Sequence, residues 1–393
     1  MKCSIDFRNP NLVFTVLAVV LVCVTVFMYF HPGIFPMSGF SGPEGYVVSP
    51  ANARLTGDSW RYISGGHALL HGGELGEGQR SYLGYCLLYG LSGRYFIALH
   101  MAFALAALAA LFHIGMRLGG RCCAILAGVL FALNPEFAAW HCAIMTESIY
   151  TSCVCINAFL ALWAMDRGRT WRIPVVFAWV VLTAFIRPTG WIQVPAVLLL
   201  WCFALVPRLP WKISCAALIA FGYVLCSMLF AENGIQRESP TLKLYSGEVV
   251  WQEELWRVNM PEADFSKSSL ADGVLYGLRH PIASGWLAFK RICVMFLRIR
   301  PSYSKAHNLF LLAYHLPIAL LGLLGLLLKR RLPQAWAITA MLAAHALVVA
   351  LTFNDNDGRF TLYFTPLLSV AACAALTHFI DAFIRRPMPQ SEN

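Results

Sequence analysis

Four short stretches bring acids and bases close together in an otherwise apolar chain. "ANARLTGDSWRYISGG" carries Asp58, Arg61 and Tyr62, and "NPEFAAWHCAIMTES" carries Glu136, His141 and Glu147. "FIRPTGW" carries Arg187, and "NDNDGRF" carries Asp355, Asp357 and Arg359. A carboxylate can take a proton from a hydroxyl, and arginine's planar fork can grip a phosphate. Each residue also has a plainer reading. Asp58 can cap a helix beginning at Ser59. Glu147 can sit in a first helical turn, where the dipole favours it. Arg187 can be an end-of-span arginine reaching for water. "NDNDGR" lacks the length and late glutamate of an EF-hand, so it also reads as a solvated turn. His67 and His71 can share a helix face, but no third ligand completes a zinc site.

The elements that must position these residues follow from composition. The 393-residue chain is 59% hydrophobic and 13% charged, with mean hydropathy +0.63. That balance excludes an ordinary soluble domain and implies an all-α polytopic membrane protein. The net charge of +10 fits basic cytoplasmic loops, because no basic-aromatic nucleic-acid motif accompanies it. The 13 cysteines form no paired metal pattern. Most, including Cys23, Cys153, Cys155, Cys226 and Cys373, read as small buried hydrophobes. Asn11 to Phe30 has the length of a spanning helix and no cleavage site, which makes it an uncleaved anchor.

Apolar runs of spanning length predict about ten spans. They lie near 11–30, 94–116, 121–133, 147–165, 173–187, 190–206, 213–231, 307–328, 334–352 and 360–384. With Lys2 and Arg8 cytoplasmic, the alternate connections are basic. These carry Arg117 and Arg121, then Arg167, Arg169 and Arg172, then Arg208 and Lys212, then Lys329 to Arg331, and last Arg385 and Arg386. Both termini are then inside. Ile282 to Arg300 is long enough to span but holds Lys290 and Arg291 at its middle. An interfacial helix, with Trp286, Phe289, Cys293 and Phe296 on one apolar face, costs less. The chain is thus one membrane domain, 1–393, with outer loops 31–93 and 232–306. All four chemical stretches fall on the outer, non-cytoplasmic face.

Their order resembles the GT-C superfamily of membrane glycosyltransferases, which take sugars from polyprenyl phosphates. The resemblance runs through Asp58, "GQRSYLGYCLL", "LNPEFAAWHCAIMTES", "LTAFIRPTG" and "RFTLYFTPLL". It is nearest to the aminoarabinose and protein O-mannosyl transferases. It implies a GT-C-like fold, an acid followed by Arg-Tyr (Asp58, Arg61, Tyr62), a donor-phosphate contact at Arg80, and an acid opening the fourth span (Glu147). Two features depart from the family. Ser59, not a second acid, follows Asp58, and there is no large soluble domain. Both argue against a metal-dependent mechanism using a pyrophosphate donor.

Transfer from a lipid phosphate needs a base for the acceptor hydroxyl, cations for the leaving phosphate and exclusion of water. Asp58 is the expected base, with Glu147 the other catalytic candidate. Arg80 and Arg187 are the expected phosphate grips. "RIRPSYSK" adds Arg298, Arg300 and Tyr303 as substrate contacts, and Arg359 opens the last stretch. Lys290, Arg291, Arg298, Arg300 and Lys305 would form a basic outer surface, suited to donor or to lipid headgroups. No cofactor or metal is expected. The expected partners are a polyprenyl-phosphate-linked sugar, a glycolipid, polysaccharide or protein acceptor, and membrane lipids, with no nucleic acid. A bacterial inner membrane is the expected location. The alternatives are a lipid-linked saccharide flippase or transporter, and a polysaccharide polymerase or ligase. A transporter would place ionisable groups mid-membrane in repeated halves, and no repeat is found.

Overall fold

The computed structural model describes residues 9–31, 55, 58–166, 169–206, 208–217, 219, 240–251, 253–267, 269–301, 303–354 and 358–384. Lys2, Arg8, Arg167, Cys226, Asp355, Asp357, Arg385 and Arg386 lie outside these residues, as does most of the predicted span 213–231. Among the described residues the chain is helical, with one isolated bridge between Val250 and Asn354.

Among the described residues, the first nine α-helices are α1 Pro10–Phe30, α2 Ser59–His71, α3 Glu77–Arg80, α4 Leu83–Ser92, α5 Phe96–Ala132, α6 Pro135–His141, α7 Thr146–Ala164, α8 Arg172–Ala184 and α9 Gln193–Leu205. Later come Pro240–Tyr245, Leu270–Arg279, Pro281–Leu297, Lys305–Leu328, Pro333–Leu351, Arg359–Leu362 and Thr365–Ile384. Among the described residues, seven helical stretches are long and apolar enough to cross a membrane, which makes this a membrane protein.

That count differs from about ten because the predicted span 213–231 lies mostly outside the described residues, the stretch through α5 counts once, and α8 is short. Gly120 leaves helical geometry at φ 77° and ψ −167°, so α5 is two limbs joined by a turn. The limbs fold back on each other, since a Cβ at Gly115 would lie 2.8 Å from the Ala124 Cα. The two limbs correspond to the predicted runs 94–116 and 121–133, folded into a hairpin at Gly120. Helix α8 has 13 residues, about 20 Å at 1.5 Å per residue, which is shorter than a bilayer core of about 30 Å.

Between helices in lipid, close packing replaces the hydrophobic drive. Helix α1, capped by the Asn9 side chain on the Asn11 and Leu12 amides, buries Val13, Leu17, Leu21 and Met28 along one stripe. Leu17 rests on Gly128 of the α5 hairpin. Cys23 is exposed on this helix, unlike the buried Cys153, Cys155 and Cys373. Helix α7 is buried on every side over its first ten residues, Thr146–Cys155, while Ile156, Phe159, Leu160 and Trp163 along one face beyond are half-buried. Such a helix belongs at a bundle's centre.

Charge marks the two ends of α7. Beyond its C-terminus Asp166 pairs with Arg172 at 3.2 Å and Arg117 at 3.7 Å. At its N-terminus stand Thr146 and Glu147. Nineteen helical residues separate the two groups by about 28 Å. The basic connections near Arg117 and Arg172 thus share one end of the bundle, and Glu147 lies at the other.

The basic outer surface expected from Lys290 to Lys305 is corrected by burial. In Pro281–Leu297 the exposed side carries Ile282, Trp286 and Phe289, while Leu287, Arg291 and Met295 face the protein. Cys293 and Phe296 are only half-buried. Arg291 donates to the carbonyls of Glu248, Ala350 and Lys243 at 2.8, 3.0 and 2.8 Å. It secures the 243–250 segment against this helix, and Arg298 and Arg300 are buried as well. An arginine in sequence shows its charge but not the carbonyls that will consume it.

One apolar helix, Lys305–Leu328, separates Arg300 from Arg331. Reporter fusions or cysteine labels placed after Arg300 and after Arg331 are therefore expected on opposite sides of the membrane. A same-side result would contradict a crossing by this helix.

Candidate functional site

The site grows from the start of α7. Asn134 caps α6 on the Glu136 and Phe137 amides, and the chain turns through 142–145 into Thr146. There Ser59 of α2 donates to the Ile144 carbonyl at 2.9 Å, fixing the first turn of α2 beside the first turn of α7. Asp58 precedes that turn. Its side chain makes no cap hydrogen bond, so its carboxylate is committed to other partners.

Those partners are arginines. Asp58 Oδ1 lies 3.4 Å from Arg61 Nη2, and Oδ2 lies 3.6 Å from Arg359 Nη1. The same Arg359 nitrogen is 3.7 Å from Glu147 Oε1. Arg187 Nη1 donates to Glu147 Oε1 at 2.6 Å and to Thr146 Oγ1 at 2.7 Å. Tyr363 donates to Glu147 at 3.4 Å, and its ring lies 5.1 Å from the Arg187 guanidinium.

Arg187 reaches this position because the chain leaves α8 in an extended conformation before Pro188, as the residue before a proline prefers. Tyr150, one turn beyond Glu147, donates to the Thr189 carbonyl at 3.0 Å and ties that segment to α7. Burial opposes the Arg187 charge, but Tyr363 and Glu147 hold its pKa well above the ordinary arginine value.

The two carboxylates differ in access. The Glu147 side chain is 0% exposed and that of Asp58 is 37% exposed. At ordinary charges near pH 7, Arg61, Arg187 and Arg359 against Asp58 and Glu147 leave one positive charge in excess among the described residues. Arg61 and Arg359 flank one reachable carboxylate, Asp58. No group of three His, Cys, Asp or Glu able to hold a metal occurs among the described residues. His67 and His71 do meet, with ring centroids 4.3 Å apart.

The remaining candidates are more scattered. Tyr62 is 1% exposed and packs edge-on against Tyr82 and Tyr85. Burial, with Tyr82 and Glu147 adding to it, raises its phenol well above the ordinary value. Arg80 ends α3 exposed, with no ion pair among the described residues. Arg298 forks onto Glu136 with two contacts of 2.5 Å. Arg300 is 1% exposed and exchanges backbone hydrogen bonds with the Asn308 amide. Tyr303 stacks on His307 at 4.4 Å. The structure thus joins Asp58, Arg61, Glu147, Arg187 and Arg359 in one cluster, with Tyr62 behind it. Arg298, Arg300 and Tyr303 form a second group.

Tyr363 and Thr146 escaped the sequence reading. Tyr363 stands four residues after Arg359 in "RFTLY", a spacing that shares a helix face. Thr146 immediately precedes Glu147.

Breaking a buried pair leaves an uncompensated charge, at a cost of about 3–5 kcal/mol, whereas an exposed pair contributes about 0–1 kcal/mol. Glu147→Ala should therefore lower the thermal unfolding midpoint in detergent markedly, and Asp58→Ala should barely move it. Equal effects would contradict the difference in burial.

No protein-family model matches the chain, and no curated protein matches it. Among solved structures it is similar to the Archaeoglobus fulgidus oligosaccharyltransferase in its apo form. The TM-score is 0.51 at 14% identity, covering 96% of this chain and 51% of that one. The same protein in complex with Zn and sulfate gives a TM-score of 0.49 at 14% identity, covering 94% of this chain and 49% of that one. The chain therefore spans about half the length of the solved structures it matches, and what it shares with the apo form is a fold.

Proposed function

We propose that the chain is a membrane glycosyltransferase. It moves a sugar from a polyprenyl-phosphate carrier to an envelope acceptor on the non-cytoplasmic face of a bacterial inner membrane. The observation that carries this reading is Asp58, a reachable carboxylate held among Arg61, Arg359 and the Glu147–Arg187 pair. The fold shared with an oligosaccharyltransferase supports it.

In this reading Asp58 takes the proton of the acceptor hydroxyl. The acceptor oxygen bonds to the anomeric carbon as the bond from that carbon to the phosphate oxygen breaks. The carrier phosphate leaves with the electron pair, and a single displacement of this kind inverts the anomeric centre. Phosphate is a competent leaving group, so no second carboxylic acid is required, unlike in glycosidases. Arg359, at the mouth, and Arg187, behind it, supply positive charge to the leaving phosphate. Arg80, exposed on α3, is suited to the carrier's headgroup at the membrane edge.

Glu147 is sealed by Arg187 and Tyr363, and it serves by holding Arg187 charged and in place. Three guanidiniums supply the cationic work, so the proposal needs no divalent ion. The flippase alternative is weaker on one ground. The charged cluster lies at an end of α7 and not at mid-span, where transport pathways place their ionisable groups.

Mass spectrometry of envelope glycolipids, polysaccharides and glycoproteins, with and without the protein, tests the proposal. Loss of one sugar from one acceptor class, restored by the wild-type chain, is expected. Loss of the glycan together with lipid-linked saccharide accumulating on the cytoplasmic leaflet would favour a flippase instead, and an unchanged glycan profile would reject both readings.

A further inference from the structure

The Glu136–Arg298 pair lies apart from the Asp58 cluster, and the steps above do not use it. Several observations connect the two. Arg298 ends the Pro281–Leu297 helix at φ 57° and is the only non-glycine residue with positive φ among those described. A long side chain holds that conformation only when its surroundings enforce it. Here the enforcing contact is a fork of two hydrogen bonds to Glu136, with His315 Nε2 a further 3.0 Å neighbour of Nη1. Both side chains are buried, at 4% and 7% exposure.

The other face of the Arg298 guanidinium lies on Gly358. A Cβ at Gly358 would stand 2.5 Å from Arg298 Nε, 2.8 Å from Nη2 and 3.0 Å from Cζ. Gly358 itself has φ 65°, so both its space and its backbone call for glycine. It begins the short helix Arg359–Leu362, so its backbone sets where Arg359 starts. Thr361 adds a second tie, donating to the Met295 carbonyl at 2.7 Å. The Arg359 guanidinium then reaches Asp58 and Glu147 through one nitrogen.

We propose that the Glu136–Arg298 pair is a positioning device. It presses on Gly358 and so fixes Arg359 between Asp58 and Glu147. Arg298 is then a positioning residue and not a substrate contact. The pair also couples the segment that follows Arg298, with Arg300 and Tyr303, to the carboxylate cluster. The catalytic meaning rests on reading Asp58 as the base, but the positioning does not.

The test is carboxyl footprinting of the full chain in detergent. Carbodiimide and glycine ethyl ester label Asp58, and mass spectrometry reads the rate without any donor. Arg359→Gln should raise the Asp58 labelling rate about two- to fivefold, the factor an exposed ion pair is worth. Glu136→Gln and Gly358→Ala should raise it by a similar factor, although neither residue is among Asp58's ion-pair partners. Glu136→Gln combined with Arg359→Gln should add nothing beyond Arg359→Gln alone. Glu136→Asp, which keeps the charge and shortens the reach, serves if Glu136→Gln does not fold. Wild-type Asp58 labelling in both the Glu136 and Gly358 variants, with only a lower unfolding midpoint, would make the pair merely structural and overturn the proposal. A transfer assay on the same variants reports separately on the glycosyltransferase reading.

Discussion

A carboxylate with no access to water cannot stay charged unless the protein supplies its counter-charge and hydrogen bonds. Glu147 is in that position, in the first turn of a helix whose first ten residues are all buried. Its needs are met by parts of the chain far apart in sequence. Arg187 comes from just past α8, Arg359 from the start of the short helix Arg359–Leu362, and Tyr363 from its end, before the last helix. Meeting this one requirement brings two distant segments, around Arg187 and around 359–363, to the start of α7. Asp58 joins them because Ser59 fastens α2 to the chain just ahead of α7. The reachable acid is therefore positioned by the unreachable one.

The same constraint gives the site its division of labour. Two carboxylates in one cluster would repel each other if both were bare. Arg359 stands between them, sharing one nitrogen with both. Arg187 is committed to Glu147, while Asp58 keeps an open side. The cluster is thus rigid at its base and accessible at its mouth. A membrane enzyme needs that arrangement if it is to meet a lipid-borne substrate while keeping water from the reacting centre. At the far end of α7, the exposed Asp166 pairs with the exposed Arg117 and the buried Arg172, a single acid open to solvent, whereas Glu147 at the near end is sealed.

Much of this was legible in the residues. Apolar length marks most of the long helices, and the order of Asp58, Glu147, Arg187 and Arg359 anticipates a common cluster. Other features were hidden for identifiable reasons. A hydropathy window judges runs by length alone: it separates the two limbs that meet at Gly120, but it overestimates a helix as short as α8. Arg298 looks like a surface cation because its partner, Glu136, stands 162 positions away. Arg291 looks the same because backbone carbonyls leave no trace in sequence. Asp58 presented the opposite difficulty. Its place before Ser59 suits a helix cap, and only the geometry shows that the side chain turns to arginines instead.

Asp58→Asn tests the central claim most directly, because it keeps the shape of the side chain while removing the proton acceptor. In purified protein given a polyprenyl-phosphate sugar and an acceptor, the account predicts retained donor binding and an intact fold. It also predicts transfer slower by about a hundred- to ten-thousandfold, the range a general base contributes. Near-normal transfer by Asp58→Asn would contradict it, and the chemistry would then have to be sought at another residue of the cluster.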